Sequence, residues 1–259
     1  MFFIFIDLKK ASKMITVERF FLNAIFILFL CQMLLAHSDF AYANDELKGL
    51  IIYTENDPPY VTVDAKGKIG GLATNKLNNF LKAIKLTEEN IEIKPWVRSY
   101  LEVLGKPNVM IYPIAKTAER LEKLEYIYKI FDAVVFFYRL SARKDIVISN
   151  VNEAKKYSVC VVRGDYRAEY LKHSGFPMID ESIDSTVNFK KFIAGRCDVI
   201  ALTEIGLNAK LEQLNLDSSL VSIAYPLSGL DSNLYIAINK GTDKKVIEAL
   251  KHAAKKLEK

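Results

Sequence analysis

The sequence is short of the residue types on which most metal and nucleophilic chemistry depends. Its 259 residues include three histidines, three cysteines and one tryptophan. His37 lies in an N-terminal segment unlike the rest of the chain. His173 and His252 sit on predicted helices beside lysines, where solvated side chains are the rule. No HExxH pair, GxSxG elbow, Walker loop or GxGxxG after a strand occurs. Gly67-Lys68-Ile69-Gly70-Gly71 is glycine-rich but fits none of these spacings and reads as a turn. No catalytic residue, metal or cofactor is therefore expected. The basic excess, net +5, is spread along the chain without a run of like charges, so no nucleic-acid partner is expected either. With 51% hydrophobic and 26% charged residues, disordered and fibrous classes are excluded.

The first 43 residues differ from the rest. Lys9, Lys10, Lys13 and Arg19 precede an apolar run from Phe20 to Ala36, broken by Asn23 and Gln32, and Ala41-Tyr42-Ala43 offers small residues at signal-peptidase spacing. Residues 1–43 read as a secretory signal cut after Ala43, with translation starting at Met1 or Met14. An uncleaved anchor is the alternative, because a run of about 17 residues sits at the lower edge of what spans a bilayer. Leu30 before Cys31 is not the small residue that lipid attachment wants. Export would place Cys160 and Cys197 where disulfides are permitted. Each stands alone in a strand pattern, and pairing depends on a register that the sequence does not state.

From Lys48 onward, short β-branched runs alternate with amphipathic stretches, the pattern of α/β architecture with mostly parallel strands. Strands are predicted at 49–54, 91–94 and 109–112. Helices are predicted around Leu72–Ile84 and Val97–Leu104, with a short one capped by Thr117. An apolar run from Phe131 to Leu140 leads out of this first set. The pattern then restarts with strands at 157–162, 178–179 and 198–202, each followed by a helix. A second extended run, Leu234–Ile238, precedes a last helix with Val246, Leu250, Ala253 and Leu257 on one face. The economical reading is two α/β lobes joined by two crossing strands. Lobe 1 comprises 44–135 plus 226–259, and lobe 2 comprises 136–225.

The remaining polar constellation suits binding. Arg120 opens a helix after a buried strand, where a guanidinium and helix amides can converge on a carboxylate; pairing with Glu119 or Glu122 is the plain alternative. Tyr60 and Trp96 can wall a pocket or simply fill core. Arg98 lies two residues on, with an exposed helix position as its alternative. Gly164, Asp165, Tyr166 and Arg167 follow a strand end, and Glu204 ends another, the places where open α/β sheets bind ligands. For Glu204 the alternative is a helix N-terminal glutamate favoured by the dipole.

The order Tyr53-Thr54, Pro59-Tyr60, Gly70-Gly71-Leu72, Pro95-Trp96-Val97-Arg98, Thr117-Ala118-Glu119-Arg120, Val161-Val162-Arg163-Gly164 and Ala194-Gly195-Arg196-Cys197-Asp198 resembles that of the family-3 periplasmic solute-binding proteins of amino-acid ABC transporters. The resemblance runs from about Leu47 to Leu257. It implies the type II two-lobe fold with an interlobe cleft. It also implies that Arg120, of the Thr117-x-x-Arg120 motif, holds a ligand carboxylate, that Glu204 takes the ammonium, that Tyr60 packs on the ligand, and that the turn Gly164–Arg167 adds hydrogen bonds. Two departures stand out: Pro113-Ile114-Ala115-Lys116 replaces the usual small or hydroxyl residues, and Asp165 and Tyr166 replace small hydroxyl ones.

What the resemblance implies is a monomeric, periplasmic, non-enzymatic protein that captures an amino acid or related carboxylate and partners an inner-membrane ABC permease or a receptor. A dehydratase-like lyase on the same fold is the rival, with Glu204 or Asp165 as acid/base. A ligand-sensing adaptor is the third reading.

Overall fold

The computed structural model describes Leu47 and residues 49–257; the expected leader, Cys31 and Met14 lie outside the described residues. From Gly49 on, two five-stranded sheets carry the chain. In chain order the first part runs β1 (Ile51–Thr54), a small hairpin β2 (Thr62–Val63) and β3 (Ile69–Gly70), α1 (Leu72–Ala83), β4 (Ile91–Ile93), α2 (Trp96–Gly105), β5 (Val109–Ala115), α3 (Ala118–Lys123) and β6 (Leu124–Phe131). Residues 132–134 carry it across. The second part is β7 (Val135–Leu140), α4 (Val151–Ala154), β8 (Val159–Val162), α5 (Tyr166–His173), β9 (Ile179–Ser182), α6 (Ser185–Ile193), β10 (Val199–Thr203), α7 (Glu204–Gln213) and β11 (Val221–Pro226). After the return through 227–233, β12 (Leu234–Asn239) and α8 (Lys244–Leu257) complete the first part.

The first sheet has the order β4-β1-β5-β12-β6 and the second β11-β7-β10-β8-β9. In each, the strand entered from a crossing runs against the rest. β12 is antiparallel to β5 and β6, and β7 to β10 and β11, while β1 with β4 and β5, and β8 with β9 and β10, are parallel. The expectation of mostly parallel strands is corrected on this point: half of these pairings are antiparallel, because a chain that leaves one sheet directly for the other reverses on arrival. Strand β5 also outruns its expected end at Tyr112. The ladder to β12 shifts register between Tyr235 and Ala237, opposite Tyr112-Pro113, and such an irregularity lets a residue without an N–H sit inside a sheet. β6 and β11 were not foreseen as strands; their burial is mixed, so neither shows a clean alternation.

Each lobe has its own core. In the first, Val103, Val109, Ile111, Ile114, Leu124 and Ala237 pack with Tyr53 and Trp96, and α1 buries Ala73, Leu77, Phe80 and Leu81, spaced three or four apart as a helix face requires. In the second, Phe189, Phe192, Ile200, Leu202, Leu207 and Leu211 surround Cys160 and Cys197. Those cysteines are joined in a disulfide with Cα atoms 5.7 Å apart. β8 lies beside β10, with Cys160 opposite Ile200, and this register, absent from the sequence, brings the sulfurs together.

Candidate functional site

The strand C-termini of both sheets face one cleft. The loop after β1 carries Glu55, Asp57 and Tyr60 into it, and a glycine fixes that loop. Gly71, at φ +100°, presents no side chain at a spot where a Cβ would lie 2.6 Å from the Tyr60 carbonyl. The close approach lets the first amides of α1 use the loop: Leu72 N–H donates to the Pro59 carbonyl (2.9 Å) and Ala73 N–H to that of Tyr60 (2.8 Å). The Gly70-Gly71 turn therefore sets the height of Tyr60 in the cleft.

From the other lobe, capping residues do the positioning. Asp165 caps α5 by accepting from Arg167 N–H at 2.7 Å, and Thr203 caps α7 by accepting from Gly206 N–H at 3.1 Å. Both side chains also face the cleft. Asp165 holds the Arg167 guanidinium through two hydrogen bonds, one of them Nε at 2.8 Å. Arg167 also donates to the Ala201 carbonyl at 3.3 Å.

Several contacts close the lobes on one another. Tyr60 Oη and Thr203 Oγ1 are hydrogen-bonded at 2.8 Å, Trp96 Nε1 donates to the Gly164 carbonyl at 2.8 Å, and Ser185 Oγ donates to Asp57 Oδ1 at 2.7 Å. An ion pair joins them as well, Arg120 to Glu169 Oε1 at 2.8 Å. Arg120 also donates to the Gly164 and Ala115 carbonyls, both at 3.2 Å, and its guanidinium lies 4.8 Å from the centre of the Tyr100 ring and 5.4 Å from that of Trp96. Its side chain has 0% solvent exposure.

Between these contacts remains a cavity of about 70 Å³, lined by Glu55, Asp57, Tyr60, Tyr112, Asp165, Tyr166, Arg167, Thr203 and Lys210 among others. Lys210 is 2% exposed, with Nζ 3.7 Å from Asp57 and 3.3 Å from Thr186 Oγ1. Burial first, then the charges of Asp57 and Asp165, push the Glu55 carboxyl up to about 8 against the opposing pull of Arg167 and Lys210. Burial likewise raises the Tyr60 hydroxyl, although its bond to Thr203 opposes the shift.

Of the sequence-derived candidates, Tyr60, Trp96, Arg120, Asp165, Tyr166 and Arg167 line this cavity, and Gly164 borders it through its carbonyl. Three do not. Thr117 caps α3 by accepting from Arg120 N–H at 3.2 Å. Arg98 is exposed and pairs with Glu102 at 3.2 Å. Glu204 is exposed at the first turn of α7, the helix-dipole alternative, because its strand neighbour Thr203 takes the inward position.

Glu55, Asp57, Glu169 and Lys210 were missed. Glu55 and Asp57 follow a strand end just as Asp165 does, so the same rule pointed to them. Lys210 stands between the buried Leu207 and Leu211 on a helix face, and a lysine in an apolar stripe is a readable signal. Glu169 had none, since its partner is 49 residues away.

Two lobes, two crossings and an interlobe cleft define the class: the chain has the periplasmic-binding-protein fold. Similar solved structures are a histidine kinase sensor domain with similarity to periplasmic binding proteins (TM-score 0.69, 13% identity, covering 82% of this chain and 92% of that one) and an ancestral arginine-binding protein bound to arginine (0.65, 17%, 82% and 93%). A third is the substrate-binding protein of an amino acid ABC transporter (0.63, 19%, 81% and 93%). No family model and no curated protein sequence matches the chain. Among the described residues no helix is long and apolar enough to cross a membrane.

Proposed function

We propose that the protein is an exported solute-binding protein that closes its two lobes around a small polar solute of the amino-acid class. The observation that carries the reading is the cavity itself, which both lobes wall with opposed charges and tyrosine rings. The disulfide supports an oxidising compartment, in keeping with the expected leader. The partner is an inner-membrane permease or a receptor. The transporter protein and the sensor domain among similar structures support both partner types.

The test is a thermal-shift screen of the purified protein against amino acids, small carboxylates and amines. Ligand at about 100 times its Kd adds roughly 2.7 kcal/mol, which at about 2–4 °C per kcal/mol is plainly measurable. No shift across the panel, from folded protein freed of carried-over ligand, overturns the reading.

One observation favours a second reading. A lyase on this fold requires a cleft carboxyl that is protonated near neutral pH, and Glu55, held up to about 8, is such a group, whereas Glu204 is exposed and does not line the cavity. Product formation from prephenate-like substrates, lost in Glu55→Gln, would establish it.

A further inference from the structure

The cleft already contains a carboxylate where the guanidinium of Arg120 would receive one. Glu169, reaching across from α5, occupies Arg120 at 2.8 Å, two backbone carbonyls and two aromatic rings enclose the rest, and solvent reaches none of the side chain. A ligand carboxylate can gain Arg120 only by displacing Glu169 and leaving it partly buried and unpaired, a costly exchange.

The other end of the cleft has the opposite imbalance. Arg167 is held by Asp165, and Lys210 faces Asp57. Glu55 remains: it lines the same cavity, and among the described residues its carboxylate receives no side-chain hydrogen bond and no ion pair. With Arg120 neutralised by Glu169, the cavity wall carries three carboxyl groups against two cations, and in the empty cleft burial beside Asp57 and Asp165 leaves Glu55 holding its proton. The rings of Tyr60 and Tyr166 stand beside it.

We infer that the cleft takes a compact organic ammonium ion against Glu55, Asp57 and Asp165, and that Glu169 stands in for the carboxylate such a ligand lacks. The inference rests on the solute-binding reading and narrows its ligand class. An ammonium ion supplies the third cation against which Glu55 can give up its proton, its N–H groups find carboxylate acceptors, and the tyrosine rings favour it over a neutral group. An added carboxylate on the ligand would meet Arg167 and Lys210 only after they release their own partners. A cavity of about 70 Å³ has room for a small head group and not for a bulky one.

Matched pairs test this directly: arginine against agmatine, ornithine against putrescine, lysine against cadaverine and serine against ethanolamine, by calorimetry on the purified protein. The expected result is at least one amine bound about tenfold or more tightly than its parent amino acid, the equivalent of about 1.4 kcal/mol. Parent amino acids binding more tightly than their amines, or carboxylates binding without amines, overturn the inference while leaving solute binding intact. Absence of binding by every small solute overturns both. In the variants, Glu55→Gln is expected to weaken the amine about tenfold or more. Glu169→Gln, by freeing Arg120, is expected to move the amine-to-amino-acid ratio about tenfold toward the amino acid. An unchanged ratio in folded Glu169→Gln removes the stand-in role.

Discussion

The two ends of the cleft are built from the same residue types and differ in how their charges are answered. At one end Arg120 has an internal carboxylate, two carbonyls and two rings, and is sealed from solvent. At the other, Glu55 shares a cavity with Asp57 and Asp165 and, among the described residues, receives no side-chain hydrogen bond or ion pair. The first arrangement uses its charge to hold the lobes together; the second leaves one buried carboxyl group without a counter-ion of its own. The arginine that the motif order marks as a ligand anchor is here held by a carboxylate that a helix of the other lobe supplies.

Breaking the sealed end should have the largest effect. Arg120→Ala strands the Glu169 carboxylate and opens a hole under Trp96 and Tyr100, costing about 3–5 kcal/mol and lowering the melting temperature on the order of 10 °C. Arg120→Ala with Glu169→Ala should cost less than Arg120→Ala alone, which a double-mutant cycle by thermal denaturation checks. Reduction of Cys160–Cys197, which closes a 37-residue separation, should remove about 2–4 kcal/mol, with hydrogen exchange rising in the second sheet before the first.

At the unanswered end the expected effect is one of pH. The Glu55 carboxyl lies higher in the folded protein, at about 8, than its ordinary 4.5, so the fold binds the extra proton. The stability it contributes is complete below about pH 4.5 and is lost as pH rises through 8. Asp57 and Asp165 augment the shift and Arg167 and Lys210 oppose it. Melting temperatures from pH 5 to 9 should show this decline in the wild type and not in Glu55→Gln. Smallest is Tyr60→Phe, which deletes one cross-cleft hydrogen bond and should cost about 1 kcal/mol; Thr203 keeps its cap, so the loss should appear as easier lobe opening by small-angle scattering rather than as unfolding.

Much of the architecture was legible because it is local. Runs such as Val159–Val162 and Val199–Thr203 are buried throughout and read as sheet interior, and the apolar spacing on α1 and α8 reads as helix faces. The cap expected at Thr117 sits three residues from the amide it serves. Tyr60, Trp96, Asp165, Tyr166 and Arg167 were placed at the cleft by their positions in the motif order or at a strand end. Glu204, read from the sequence as a strand-end residue, opens α7 and is exposed, while Thr203 at the strand end faces the cleft.

By itself the sequence determined the features set by periodicity and backbone chemistry: alternating strands and helices, two lobes, their crossings, and the turn that only glycine allows at Gly71. It also supplied every charge the cleft contains. Only the tertiary structure decided which of those charges cancel. Arg120 and Glu169 are 49 residues apart, Asp57 and Ser185 are 128, and Cys160 meets Cys197 through the pairing of β8 with β10. Such contacts depend on how two sheets come together, and electrostatic energy depends on distance and burial rather than on order along the chain.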